Sequence, residues 1–509
     1  MQSRPRKKTA SLWPDLVVSA TASSDRILRA TAAGQIKPLV KPFYSPAIQD
    51  DPATIIRRNV WKVVAALVPG AVISFRTALE ARPATDGTVF VVSAGRYTRN
   101  LPGLQVRGVP GPGPQPDDFP FVDGLHLASR ARAMLDALRP SRGRERGGGT
   151  VARGLSTQDI ETWLEKDFQT GGEQALNRLR DEARRLVGIL NATAELAELE
   201  RLIGRLLGSR RGSVHAPSAI ARLAGRPYDV QRTGLFDALA SALQDYHGVH
   251  RPLPNVSNDR FATMGFFDAY FSNFIEGTEF EVDEARAIVF EQVIPAARPL
   301  DAHDILGTFA VVGHRPTMLH SVHDDASSEA FMERLRLLHG RILAHRNDAR
   351  PGQYKREANR AGDTHFVAPE HVRGTLSYGF DIVRGLATPF QRAAAMMFVL
   401  SEVHPFDDGN GRITRALMNA ELVAAGDTRI IIPTVFRDDY LTGLRTLSRA
   451  GEPHPFILAL DFAQRWVAAL DWSSFAAAEA AMTATHAFAR PSSAISLRSP
   501  RTTEPNAHR

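Results

Sequence analysis

The sequence predicts a multidomain protein with a mainly α-helical domain on its C-terminal side, preceded by a helical connector and an N-terminal α/β region. Three observations predict this. At 509 residues the chain exceeds what one small core organises, so roughly two to four domains are expected. Helical patterns dense in Leu, Arg and Glu fill 157–207, and further ones flank a polar loop near residue 404, whereas 49–138 carries short strand-like runs with Gly/Pro punctuation. Between these regimes, 139–150 is glycine-rich and charged, without a large apolar residue, and reads as a linker.

Residues 1–48 hold Arg4, Arg6, Lys7, Lys8, Arg26, Arg29, Lys37 and Lys41 against Asp15 and Asp25. Within them 24–34 reads as a short helix, capped by Ser24, with Ile27, Leu28 and Thr31 on one side and Gly34 at the exit. An extended basic ribbon follows at 35–44. Helix, turn and ribbon in that order predict a winged helix-turn-helix-like domain over 1–48, with DNA as its partner. The plainer reading is a basic arm that only keeps the chain soluble. Residues 49–138 read as a small α/β domain: 60–68 helical, 71–75, 88–93 and 104–109 strand-like, and 129–138 a helix with apolar Ala131, Met134, Leu135 and Leu138. This N-terminal third resembles AbiEi-type antitoxin and transcriptional-regulator domains, which implies a DNA-binding or toxin–antitoxin role.

A helical connector is expected over 151–225, with a hinge around 208–213. The main helical domain is expected over 226–475, and a disordered tail, rich in Ala, Ser, Pro and Arg, over 476–509. The chain has no cysteine, which excludes disulfides and thiolate metal sites and suits a reducing compartment. No apolar run approaches a membrane span, and the basic N-terminus lacks the apolar stretch of a secretion signal. A cytoplasmic protein without a membrane partner is expected. The net charge of +7 is modest for this length and does not by itself imply nucleic acid.

The densest chemistry lies between His404 and Arg415: a titratable His404, Phe406, a carboxylate at Asp408, Gly409, Asn410, Gly411, and two arginines, Arg412 and Arg415. A base, a ligand for a hard cation, and backbone N–H groups and Arg for phosphates together suit a nucleotide. The flanks predict helix–loop–helix. Thr388, Pro389 and Gln391 have the capping-box form, 392–403 is apolar at helical spacing, and Pro405 ends the helix. A second helix follows over 413–425, so the loop feeds a helix N-terminus that favours an anion.

This stretch resembles the signature of the Fic family, His-x-Phe-x-(Asp/Glu)-Gly-Asn-Gly-Arg-x-x-Arg, at every defined position, within a resemblance covering roughly 255–472. Fic proteins are mostly helical and move AMP from ATP, with Mg²⁺, onto a hydroxyl of a target protein. The resemblance implies that His404 is the general base and Asp408 the Mg²⁺ ligand. Gly409, Asn410 and Gly411 would cradle the phosphates. Arg412 and Arg415 would neutralise charge on phosphorus and pyrophosphate, and Phe406 would pack the loop down.

Ser272, Glu276 and Gly277 fit the family's inhibitory motif, (Ser/Thr)-x-x-x-Glu-(Gly/Asn), on a helix N-terminal to the core. The resemblance implies that Glu276 pairs with Arg415 and crowds the γ-phosphate site, leaving the protein nearly silent. The stretch from 351 to 369 resembles the Fic flap, a hairpin that pairs with an extended target segment; Asp363, Thr364, His365 and Phe366 are its expected target-binding residues. Lys355 stands where relatives often have Arg, which leaves the local register open. The expected function is therefore a protein adenylyltransferase acting on Ser, Thr or Tyr, autoinhibited by Glu276, with ATP as co-substrate. The family often forms homo-oligomers. The alternatives are a DNA-binding regulator or antitoxin-like fusion whose Fic part senses nucleotide, and a Fic enzyme that removes AMP or transfers another phosphate-containing group.

Overall fold

The computed structural model describes residues 13–141, 151–246, 248–253, 256–490 and 495–499. Arg4, Arg6, Lys7 and Lys8, most of the expected linker and the end of the expected tail lie outside the described residues. The chain divides into two compact units, 1–220 and 221–509. Among the described residues no helix is long and apolar enough to cross a membrane.

The first unit opens with β1 (Val17–Val18), helix α1 (Ser24–Ala32) and the hairpin β2 (Lys37–Val40) and β3 (Phe43–Ser45), in a three-stranded antiparallel sheet of order β1-β3-β2. α1 is capped from Ser23 rather than Ser24, because Ser23 is the residue with extended angles (φ −63°, ψ 142°). Its buried face is Ile27 and Ala30; Leu28, Arg26 and Arg29 are exposed.

Next come α2 (Pro52–Arg58), capped by Asp51, and α3 (Val60–Leu67). Then follow β4 (Val72–Ile73), α4 (Phe75–Glu80), β5 (Thr88–Ser93), β6 (Tyr97–Leu101), β7 (Leu104–Pro110), β8 (Phe119–Pro120), β9 (His126–Leu127) and α5 (Arg130–Leu138). The strand expected over 71–75 stops at Ile73, because Phe75 already begins α4. The strands form a six-stranded mixed sheet, order β6-β7-β5-β4-β9-β8, with β5 parallel to β7 and β4 parallel to β9. Val89 and Val91 face one cluster with Ile55, Ile56, Val63 and Val64, whereas Phe90 and Val92 face another. Alternate residues of one strand thus feed two cores.

That second core also holds Leu164, Leu176, Leu199 and Leu202 from α6 (Thr157–Leu190) and α7 (Thr193–Leu206). The connector expected at 151–225 therefore does not stand apart through most of its length. Its two helices pack against each other and against α5, and so join the core on that face of the sheet. Gly171 and Gly172 leave helical angles and break α6 in two. α8 (Pro217–Leu223) spans the division between the units.

The second unit is built from helices: α9 (Val230–Gln244), α10 (Asn258–Ile275), α11 (Val282–Glu291), α12 (Pro299–Val312), α13 (Arg315–Met318), α14 (Ser328–Ile342), α15 (Val372–Gly385), α16 (Pro389–Val403), α17 (Asn410–Ala424), α18 (Arg437–Ala450), α19 (His454–Ala468) and α20 (Phe475–Ala484). A two-stranded hairpin, β10 (Arg360–Ala361) and β11 (Thr364–His365), interrupts them. α16 is the axis of the unit. It is buried on nearly every side, carries the Thr388/Gln391 capping box, and packs against α9, α15 and α17. α10 brings Phe266, Phe267, Tyr270 and Phe271 into an aromatic cluster with Trp472, Phe475 and Phe488.

That cluster corrects the expectation of disorder from 476. Ala478, Met482 and Ala487 are buried, Phe488 stacks on Phe271 at 5.3 Å, and Trp466 Nε1 donates to Thr485 Oγ1 at 3.1 Å. Ala478, Met482 and Ala487 join one core with residues of α10 and α19, so an Ala-rich composition marked packing rather than disorder through about residue 488.

Candidate active site

α16 ends at Val403, and His404 caps it in left-handed angles (φ 47°, ψ 60°), donating its N–H to Leu400 O at 3.0 Å. A non-glycine residue there costs roughly 1–2 kcal/mol, and ring contacts hold it. Phe366 stacks face to face on the His404 imidazole, centroids 3.8 Å apart and 4° from parallel. Below, Phe406 is fully buried between the His339 ring at 3.7 Å and Tyr354 at 5.5 Å. Asn410 Oδ1 accepts from Phe406 N at 2.9 Å, and its Nδ2 donates to Phe406 O at 2.8 Å. This alters the expected role of Asn410. Its amide is spent closing the turn, so a phosphate cradle here rests on backbone N–H groups at the start of α17, which begins without a side-chain cap.

His339 locks the same turn from below. Its Nδ1 accepts from Gly352 N at 2.9 Å, so Nε2 carries the proton donated to Asp408 O, also at 2.9 Å. Burial pushes its pKa down to about 4, with the Arg412 charge acting the same way. The Asp408 carboxylate is half-exposed; Oδ1 accepts from Gly409 N at 2.6 Å and Oδ2 from Arg412 Nη2 at 3.1 Å. Among the described residues no cluster of three His or acidic side chains could hold a metal by itself. One exposed carboxylate suits Mg²⁺, which keeps most of its ligands as phosphate oxygens and water.

The two arginines have different partners. Arg412 Nη1 lies 3.0 Å from Asp304 Oδ2 on α12, and Arg346 grips the same carboxylate, Nε to Oδ1 at 3.1 Å. Arg415 reaches α10: Nε donates to Ser272 Oγ at 2.8 Å, and Nη2 to Ser272 O at 2.9 Å and Glu276 Oε1 at 2.6 Å. Ser272 and Glu276, one turn apart, thus hold a single guanidinium. Gly277 (φ 95°) ends that helix, with Thr278 N bonded to Asn273 O at 3.0 Å, and so leaves Glu276 at its C-cap. A Cβ at position 411 would stand 2.0 Å from Glu276 Oε1, so the carboxylate lies directly over Gly411.

These residues border a cleft of about 480 Å³ lined by His404, Gly411, Arg415 and Glu276, with Tyr440, Leu441 and Leu444 from α18 and Asp363, Thr364 and Phe366 from the hairpin. The hairpin pairs Arg360 with His365 and Ala361 with Thr364. Arg449 Nη2 donates to Thr364 Oγ1 at 3.3 Å, and Arg232 on α9 donates to the His365 carbonyl and to the buried Glu402. Burial, then the nearby Lys355 ammonium, pushes the His404 pKa down to about 4; the Ser401 carbonyl, Glu276 and Asp408 act in the opposite direction. At neutral pH the ring is therefore uncharged and able to accept a proton. Burial also pushes Tyr440 up to about 12. Asp304, Arg346, His339, Asn359, Arg232 and Tyr440 were not foreseen. Each lies outside the contiguous motif, and nothing in its local sequence marks it.

Residues 332–422 match the Fic/DOC family, and the chain carries a Fic domain there. Protein adenylyltransferase fic-1 of Caenorhabditis elegans is 28% identical over 198 residues, 38% of either chain. Protein adenylyltransferase Fic of Nematostella vectensis is 29% identical over 197 residues, 38% of this chain and 45% of that one. The chain thus matches less than half the length of these curated relatives. A solved structure of Fic-1 (residues 134–508) from C. elegans is 20% identical, covering 65% of this chain and 90% of that one, with a TM-score of 0.35. α10, with Ser272 and Glu276, lies outside the family match.

Proposed function

We propose that this chain is a protein adenylyltransferase that moves AMP from ATP to a Ser, Thr or Tyr hydroxyl of a target protein and is held off by Glu276. The observation that carries the reading is the convergence, in one cleft, of an uncharged His404, the start of α17, and Arg415 under a carboxylate. The target oxygen attacks the α-phosphorus, and its proton passes to His404. The bond from that phosphorus to the bridging oxygen breaks, and its electron pair leaves with pyrophosphate. Negative phosphate beside the ring favours imidazolium, so bound nucleotide raises the His404 pKa as the proton arrives. Mg²⁺, held by Asp408 and the phosphates, would neutralise oxygen charge there. Arg415 and the N–H groups of α17 would stabilise the charge that develops on the phosphates. Asp363, Thr364, His365 and Phe366 would present the target as an added strand, with main-chain hydrogen bonds giving affinity.

Glu276 would block this by placing a carboxylate where anionic phosphate must sit, over Gly411 and on Arg415. The test is transfer from α-³²P-ATP with Mg²⁺ into lysate proteins by the intact chain and by Glu276→Gly. A labelled band with the variant alone supports the reading, and no label with either chain overturns it. Because Glu276 shares the cleft with His404, it could instead orient a water for AMP removal; release of AMP from a labelled target by the intact chain, lost in Glu276→Gly, would favour that reaction. For the N-terminal unit, the order β1-β3-β2 with exposed Arg26 and Arg29 on α1 supports the winged-helix and DNA reading. Sequence-specific gel shifts that survive moderate salt would test it.

A further inference from the structure

The hairpin and the His404 loop are joined by a buried pair of side chains. Every backbone carbonyl from Val403 to Phe406 is taken by the segment just before the hairpin. Lys355 Nζ donates to Val403 O at 3.1 Å, and Lys355 N to Pro405 O at 2.9 Å. Asn359 Nδ2 donates to His404 O at 3.3 Å and Phe406 O at 3.0 Å. The two side chains also bond each other, Lys355 Nζ to Asn359 Oδ1 at 2.7 Å. Lys355 is only 3% exposed, so its ammonium is buried for these contacts. The chain then forms β10 and β11 and returns at Phe366, whose N–H donates to Asn359 O at 3.2 Å and whose ring covers His404. Both feet of the hairpin therefore stand on Asn359, and Asn359 stands on the loop that carries His404.

We propose that Lys355 and Asn359 are positioning residues that lock the hairpin and the His404 loop into one body, so that a target strand seated on the hairpin meets a base already aimed. Neither touches the reacting atoms; both act through backbone that carries them. A long cation accounts for the arrangement better than a packing role does. A residue needed only to fill space would be apolar, because a buried ammonium must be repaid by hydrogen bonds, and here those bonds end on the loop and on Asn359.

The activity side of the test rests on the adenylyltransferase reading and uses the full chain carrying Glu276→Gly. On that background Lys355→Met and Asn359→Ala should each lower kcat about 100-fold, as small misplacements of reacting groups do, with KM for ATP within about threefold. The double variant should be little worse than the worse single one, because both remove the same clamp. A kcat within about twofold of the parent for either variant, or losses that simply multiply, would overturn the proposal. A second readout needs no transfer. Asn359→Ala removes no charge, and in the NMR spectrum of the folded chain the His404 ring signal reads the ring's stacking against Phe366. The ring signal, assigned by its loss in His404→Ala, should leave the shifted value imposed by the stacked Phe366 ring. If Glu276→Gly itself transfers nothing, the adenylyltransferase reading fails, and an unmoved His404 signal in Asn359→Ala would then overturn the clamp separately.

Discussion

Arg412 and Arg415 stand one turn apart on the same helix, yet their carboxylate partners differ in the property that decides whether an ion pair can be exchanged. Arg412 and Asp304 are each 3% exposed, and Asp304 is gripped from the other side by Arg346. Arg415 is 5% exposed but Glu276 is 30% exposed, at the last residue before Gly277 and at the edge of the cleft. Removing one member of a fully buried pair strands a charge away from water, whereas a partner at a water-filled edge can be replaced by solvent or by another anion. The first pair is therefore framework and the second is exchangeable, which under the proposed reading makes it a gate, although one short motif supplies both arginines.

The comparison breaks most visibly at Asp304. Asp304→Ala leaves Arg412 and Arg346 without their shared carboxylate, so chemical denaturation should show a loss of about 3–5 kcal/mol, with transfer abolished even on the Glu276→Gly background. A loss under about 1 kcal/mol would mean that Arg412 is as exchangeable as Arg415.

Acid should act next. His339 and His404 both have pKa values lowered from 6.5 to about 4, so the fold favours their neutral forms. Their contribution is complete above the unfolded value near 6.5 and is lost as pH falls toward 4, on the order of 3 kcal/mol for each ring. Denaturant midpoints measured between pH 7 and pH 4 should fall through that window, and His339→Gln should flatten part of the fall.

Gly277→Ala sharpens the gate. With φ at 95° the alanine is strained, so about 1 kcal/mol of stability should be lost. Transfer should rise as the end of α10 loosens and Glu276 leaves Arg415. Glu276→Gly should have the smallest effect on stability, about 1 kcal/mol or less. Its effect on transfer should be the largest of the series, at least tenfold upward by the ³²P assay. A variant that gained activity only in proportion to lost stability would merge gate and framework.

How much of this was legible depends on how far apart the partners lie in the chain. The His404 loop, its capping box and the helix that follows were readable because turn residues, Pro and helical periodicity act within a few positions. The Ser272 and Glu276 pair was singled out by its resemblance to the family's inhibitory motif, because a spacing of four places residues on one helix face in any ordinary helix. Asp304 was not readable, since an Asp on a largely apolar helix carries no mark of the arginine it will meet more than a hundred positions later. His339 likewise reads as an ordinary helical residue until Phe406 stacks on it and Asp408 O accepts a hydrogen bond from its Nε2. The tail was misjudged through the same blindness, because Ala-rich composition describes both a disordered segment and a helix whose one face joins a core.

The sequence by itself determined which groups stand in one loop and in what order, and which helices begin and end around them, because backbone sterics and hydrogen bonding to near neighbours set those features. Only the tertiary structure decided what each group is free to do. It spent the Asn410 amide on its own turn, buried Arg412 between two acids, left Glu276 at the water's edge, and seated Lys355 and Asn359 beneath the loop. Those outcomes depend on desolvation and on partners brought from distant helices, and neither quantity exists until the chain has packed.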